Sequence, residues 1–162
     1  MHPSNFTKAF QQLKTLPVIS GIRIALSGGS EGIMNTNNAN SKLESKRILV
    51  LDDEELLGWC ICHELMKLGY DVQLADNLQS GKEALTVFMP HLIVCDQNFP
   101  EGDCLDTITQ WHLPLKQIET IFITAYTPPS SKDMARVGAK VCLSKPFEMK
   151  TLVSAIENHF LT

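Results

Sequence analysis

The chain has 162 residues, a formal net charge of −4, and 44% hydrophobic against 20% charged residues. That length supports one well-buried core with little left for a second domain of ordinary size, and the composition excludes a fibrous or wholly disordered polymer. The acidic balance argues against direct nucleic-acid binding, which needs clustered Lys and Arg to displace counterions, and no apolar run reaches the roughly 18 residues of a membrane-spanning helix.

Residues 1–45 read as an N-terminal appendage. The stretch Leu16 to Leu26 (LPVISGIRIAL) follows Lys8 and Lys14 and precedes Ser27-Gly28-Gly29-Ser30, the outline of a signal peptide, but Arg23 interrupts its apolar run. A cytoplasmic protein is the expectation. Phe6, Phe10, Leu13, Leu16, Val18, Ile19, Ile22 and Ile24 supply enough apolar positions for docking, either on a partner or on the rest of the chain. The stretches SGGSEG (27–32) and NTNNANS (35–41) have little to bury, and the second reads as a flexible linker.

From Lys46 onward, short apolar runs alternate with helical patterns. Ile48–Leu51 is the first strand; a helix over 54–68 carries Leu57, Ile61, Leu65 and Leu68 on one stripe and stops at Gly69. A strand around Val72 and Leu74 precedes a helix over 78–89 that Pro90 ends. Leu92–Cys95 is the third strand and 103–111 the third helix. Thr120–Thr124, a short helix over 130–137, Val141–Leu143 and a last helix over 148–160 complete the series. Five strand-plus-helix units imply a doubly wound α/β fold, a parallel sheet with helices on both faces, and continuously apolar strands suit its covered centre.

The five cysteines (Cys60, Cys62, Cys95, Cys104, Cys142) are odd in number and include no CxxC pair, which fits buried thiols in a reducing compartment better than a disulfide framework. Cys60, Cys62 and His63 invite a metal reading, but on a helix Cys60 and Cys62 point in different directions, which leaves at most Cys60 and His63 together, and buried thiols with a surface imidazole are the plainer reading. Trp59 and Phe88 read as packing residues.

In open parallel sheets the functional crevice lies beyond the carboxyl ends of the strands. Asp52 and Asp53 follow the first strand, Asp96 the third and Lys145 the fifth, while Thr124 ends the fourth. Three clustered carboxylates cannot all stay ionised cheaply without a cation, and Mg²⁺ is a natural one because it takes oxygen ligands and recruits phosphoryl oxygens. A lysine charge and a threonine hydroxyl on the same rim describe phosphoryl transfer onto a carboxylate. Read singly, the acids are helix-capping groups, the threonine a strand-end hydroxyl and the lysine a surface charge; their company distinguishes them. Glu54 and Glu55 read as residues favouring the start of the first helix.

Four motifs, ILVLDDEE (48–55), LIVCDQNFPEGD (92–103), IFITAY (121–126) and LSKPF (143–147), occur in an order and spacing that resemble the receiver domain of response regulators in two-component signalling. The resemblance covers residues 46–162. It implies a flavodoxin-like five-stranded sheet of order 2-1-3-4-5, with Asp96 as phosphoacceptor and Asp52 and Asp53 as the acids that organise Mg²⁺. Asn98 would offer its backbone carbonyl to the metal, Thr124 the switch hydroxyl and Lys145 the conserved-type lysine, followed by a cis Lys145-Pro146 bond. The implied partners are a histidine kinase or histidine phosphotransfer protein and a downstream protein target. A homodimer is compatible with this reading, and with no output domain after the last helix the output would come from partner binding or from the N-terminal segment.

Two departures stand out. Cys142 occupies the place of the usual aromatic switch residue, so Tyr126 or Phe147 would have to relay movement of Thr124, and Cys104 stands where Gly is common. A degenerate receiver that docks without phosphorylation is the alternative. A third reading, an aspartyl-phosphate hydrolase of the haloacid-dehalogenase type, requires an acid two positions after the nucleophile; Asn98 stands there.

Overall fold

The alternation of apolar strands and amphipathic helices folds as one doubly wound sheet in the computed structural model, which describes residues 46–111 and 118–161 and the backbone of 18–19 and 22–24. In chain order the elements are β1 (Val18–Ile19), β2 (Ile22–Ile24), β3 (Arg47–Leu51), α1 (Glu55–Lys67), β4 (Asp71–Ala75), α2 (Leu78–Val87) and β5 (Leu92–Asp96). Then follow β6 (Asn98–Phe99), β7 (Gly102–Asp103), α3 (Cys104–Gln110), β8 (Glu119–Thr124), α4 (Ser131–Arg136), β9 (Val141–Ser144) and α5 (Met149–Leu161). The parallel strands lie in the order β4-β3-β5-β8-β9, which is the expected 2-1-3-4-5.

The period-2 alternation of a strand sends its side chains to two cores. Ile48 and Val50 of β3 join Ile61 and Leu65 of α1 and Leu152 and Ile156 of α5 on one face. Leu49 and Leu51 face the opposite way, toward Leu78 and Leu85 of α2 and Leu105 and Ile108 of α3. Both faces of β3 and β5 are covered, which is why Ile48–Leu51 and Leu92–Cys95 are apolar throughout. The short α4 buries none of its residues fully.

Two helix ends shift for physical reasons. Leu68, expected on the apolar stripe of α1, is the C-cap residue and is exposed, and Gly69 takes φ +90° to leave the helix. Pro90 bars its predecessor from the right-handed helical conformation, so α2 ends at Val87 and Met89 adopts φ 48°. The segment between β5 and α3 contains the small β6–β7 ladder, in which Asn98 pairs with Asp103 and Phe99 with Gly102.

The sheet carries two strands more than the five expected. β1 and β2 pair antiparallel, and β2 runs antiparallel along the outer edge of β4, with Ile22 opposite Ala75 and Ile24 opposite Gln73. The rest of 1–45, including the linker read at 35–41, lies outside the described residues. Among the described residues no helix is long and apolar enough to cross a membrane.

The reading of five free thiols is corrected: Cys95 and Cys104 are joined as a disulfide, while Cys60, Cys62 and Cys142 are free. Sequence spacing carried no signal of it, because the turn after β5 brings the two residues together. His63 stacks on Trp59, with ring centroids 4.9 Å apart, and burial pushes the Cys62 thiol far up.

Gly81 lets α2 lie close on the sheet: a Cβ there would come within 2.5 Å of Leu51 Cδ2, and Leu51 is fully buried. Alanine would gain helix propensity but crowd that contact. Gly81→Ala is expected to cost about 1–2 kcal/mol net, read as a lower denaturant midpoint with an unchanged slope; an unshifted midpoint would show that the sheet yields there.

Candidate functional site

Four adjacent strands deliver the rim. Asp52 and Asp53 follow β3, Asp96 ends β5, Thr124 ends β8 and Lys145 follows β9. Since these strands are parallel neighbours, their carboxyl ends open on the same side.

Asp52 is 1% exposed. Its backbone N–H donates to Ala75 O at 3.1 Å, and its Oδ1 accepts from the Glu54 N–H at 2.9 Å. Burial raises its pKa to about 6, against the opposing effects of Lys145 and the Glu54 N–H and with the added repulsion of Asp96 and Glu54. Asp96 is 6% exposed; its Oδ1 accepts from the Asn98 N–H at 3.1 Å and its Oδ2 from Lys145 Nζ at 2.5 Å. Asp53 is exposed beside them.

Lys145 is half-buried. Burial works against its charge, but the hydrogen bond to Asp96 and the fields of Asp52, Asp96 and Glu54 outweigh burial and hold its pKa above the ordinary lysine value. The Lys145-Pro146 bond is cis, as expected. Lys145 N–H donates to Thr124 O at 2.6 Å, tying β9 to the end of β8. Thr124 is fully buried and its Oγ1 accepts from the Tyr126 N–H at 3.1 Å, which leaves the hydroxyl proton available for a second group.

A ligand oxygen from each of Asp52, Asp53 and Asp96 lies within 4.8 Å of the others, and Asp52 Oδ2 is buried without a hydrogen-bond partner. An unsatisfied buried anionic oxygen is costly, and a hard divalent cation, which prefers carboxylate oxygens, relieves that cost. The donor set therefore fits Mg²⁺.

Asn98 is exposed on β6, in backbone contact with Asp96. Tyr126 is 72% exposed, so its side chain stands in solvent, whereas Phe147 packs against the α1–α5 core. Cys142 lies opposite Phe122 in β8 and packs against the other core. Glu54 has a second role that its helix-start reading missed. It occupies the N-cap of α1 without a side-chain cap bond, and its carboxylate is 3.9 Å from Lys145 Nζ. Gln97 was also missed: its Nε2 donates to Asp103 Oδ2 at 3.0 Å, while Asp103 Oδ1 caps α3 through the Leu105 N–H. Only the capping half of that arrangement has a sequence signal.

The response regulator receiver domain model matches residues 48–157. The transcriptional regulatory protein CrdR of Helicobacter pylori is 32% identical over 117 residues, which are 71% of this chain and 55% of that protein. The alkaline phosphatase synthesis transcriptional regulatory protein PhoP of Bacillus subtilis is 29% identical over 116 residues, 69% of this chain and 48% of that one. The chain thus spans about half the length of these curated relatives. Among solved structures, a CheY-like receiver domain protein of Methanospirillum hungatei superposes with a TM-score of 0.64 at 22% identity, covering 72% of this chain and 94% of the other. The response regulator TrrA of Thermotoga maritima, solved with Mg²⁺ and BeF, gives 0.60 at 25% identity over 70% and 97%.

The Asp52 environment has a measurable consequence. Because the folded carboxyl holds its proton to about pH 6 and the unfolded one to about 3.8, this group's contribution to stability falls as pH rises through that window. Asp52→Asn keeps an acceptor for the Glu54 N–H and removes the buried charge. In chelator at pH 7 it is expected to stabilise the fold by about 1–3 kcal/mol and to flatten the pH dependence of melting between about 4 and 6. An unchanged or lower melting temperature would contradict the assignment.

Proposed function

The chain belongs to the response regulator receiver family, and from that premise we propose that it is a phosphoacceptor signalling module in which Asp96 receives a phosphoryl group from a histidine kinase or histidine phosphotransfer protein, with Mg²⁺ as cofactor. The observation that carries this reading is the Lys145–Asp96 ion pair set beside the orphaned oxygen of Asp52. It is a signalling receiver, and the chemistry it catalyses is confined to its own phosphorylation and slow dephosphorylation.

Asp52, Asp53, Asp96 and the backbone carbonyl of Asn98 would hold the metal. When bound, Mg²⁺ neutralises charge on the carboxylates and on the phosphoryl oxygens during transfer. The carboxylate of Asp96 is the nucleophile: its oxygen bonds to phosphorus as the donor nitrogen leaves. Two donors, the Asn98 N–H and Lys145 Nζ, fix its plane before the donor arrives, so little orientation is left to be achieved in the transfer itself. Lys145 then exchanges its carboxylate partner for a phosphoryl oxygen and stabilises the charge that develops there.

Thr124 supplies the readout. Its hydroxyl turns its proton toward a phosphoryl oxygen, and because its Oγ1 holds the Tyr126 N–H and its carbonyl holds the Lys145 N–H, both following segments feel the movement. That shifts an existing equilibrium at the face of α4, β9 and α5, where a protein target docks. With Cys142 where a switch aromatic is usual, the relay runs through backbone bonds of Tyr126 and Lys145.

Incubation with Mg²⁺ and a small phosphodonor is expected to add one phosphoryl group by intact mass, and none to Asp96→Ala. Lys145→Ala should slow the reaction by roughly 10²-fold, while Thr124→Ala should still be phosphorylated but lose the change in amide exchange at α4 and β9. No adduct on the native chain, or one that survives Asp96→Ala, would remove the phosphoacceptor reading and leave constitutive docking as the function.

A further inference from the structure

We propose that Cys95 and Cys104 are a redox pair whose disulfide clamps the loop carrying Asp96, so that thiol–disulfide exchange with a small couple of the glutathione class sets how firmly that loop is held. Cys95 immediately precedes Asp96 in β5, and Cys104 is the first residue of α3. The bond joins residues nine apart and encloses Asp96, Gln97, the β6–β7 ladder and the cap residue Asp103.

Besides the Lys145–Asp96 ion pair, the β6–β7 ladder and the burial of Phe99, hydrogen bonds tie this loop. Cys104 N–H donates to Gln97 O at 2.7 Å, Gln97 Nε2 to Asp103 Oδ2 at 3.0 Å, and Gln97 N–H to Ile123 O at 2.8 Å. A covalent link across the same ends removes much of the loop's freedom in any opened state. Cys95 and Cys104 are fully buried in the core formed with Phe99, Leu105, Ile108 and Phe122. A small thiol or disulfide therefore reaches the sulfurs only when the loop from 96 to 103 opens, which makes loop opening and exchange one linked event. Cys142 borders this core from β9, whereas Cys60 and Cys62 lie on α1, which packs against the opposite face.

The exchange balances as follows. A small disulfide loses its S–S bond and takes two electrons; the Cys95 and Cys104 thiols lose their two protons and form one S–S bond. Two small thiols leave carrying those protons. Reduction is the reverse, with a dithiol as donor. Any ligand that holds the loop shut slows exchange, and by linkage the disulfide favours that ligand. The consequence for metal binding rests on the reading of Asp96 as a member of the Mg²⁺ site.

The test compares the full chain after treatment with oxidised glutathione and after treatment with a dithiol. The oxidised form should yield a linked Cys95–Cys104 peptide, and amides of residues 97–104 should exchange at least about fivefold more slowly in it than in the reduced form. The Mg²⁺ dissociation constant, read by tryptophan fluorescence, should be lower in the oxidised form by a similar factor. Cys104→Ala should abolish these differences, with Cys95→Ala in its place if that variant does not fold, and Cys142→Ser should keep them. Absence of the linked peptide, or equal loop exchange in the two forms, overturns the clamp. Equal Mg²⁺ affinity despite a slowed loop overturns its coupling to the site. If the loop responds but Mg²⁺ binds neither form, the metal reading fails and the clamp stands.

Discussion

Two carboxylates nearly withdrawn from water, Asp52 and Asp96, are held at one edge of a parallel sheet, and the ammonium of Lys145 is the counter-charge that lets them share it. Like charges in a low-dielectric setting repel strongly. The site divides the load unequally: Lys145 bonds Asp96 directly, whereas Asp52 keeps one oxygen with no donor and a raised pKa. This asymmetry leaves one oxygen of Asp52 open while both oxygens of Asp96 are held, the arrangement that the proposed metal binding and phosphoryl transfer would use.

The same lysine is also tied to the end of β8. Its side chain lies against Asp96 while its backbone N–H holds the carbonyl of Thr124, whose hydroxyl oxygen holds the next loop through Tyr126. A change at Asp96 therefore meets β8 and β9 through two separate bonds of one residue. Such an arrangement would suit the proposed switch, because the helix that follows β8, α4, has no fully buried residue to hold it in place.

Much of the fold was legible because buried parallel strands and amphipathic helices carry different periodicities. The apolar runs at 48–51 and 92–95 and the stripe on α1 located the layers, and the helix starts expected at 103 and 130 fall on the capping residues Asp103 and Ser130. The acids, threonine and lysine of the rim were legible from their places at strand ends. Glu54 was harder to read: an acid at a helix start has an ordinary local purpose, and only the approach of Lys145 from β9 gives it another. The Cys95–Cys104 bond and the β2 strand beside β4 left no pattern of that kind, since each depends on where the chain turns rather than on a repeat.

The sequence by itself determined which residues could form the layers and which polar groups stood at the ends of strands, because burial and periodicity are local properties of the chain. Tertiary structure alone decided which oxygen of Asp52 is left without a donor, that Lys145 reaches Asp96 and Glu54 together, and that two cysteines meet behind Asp96. Those outcomes depend on distances of a few ångströms between segments far apart in the chain or joined through a turn, and such distances are set only when the strands pair in register and the helices close over them.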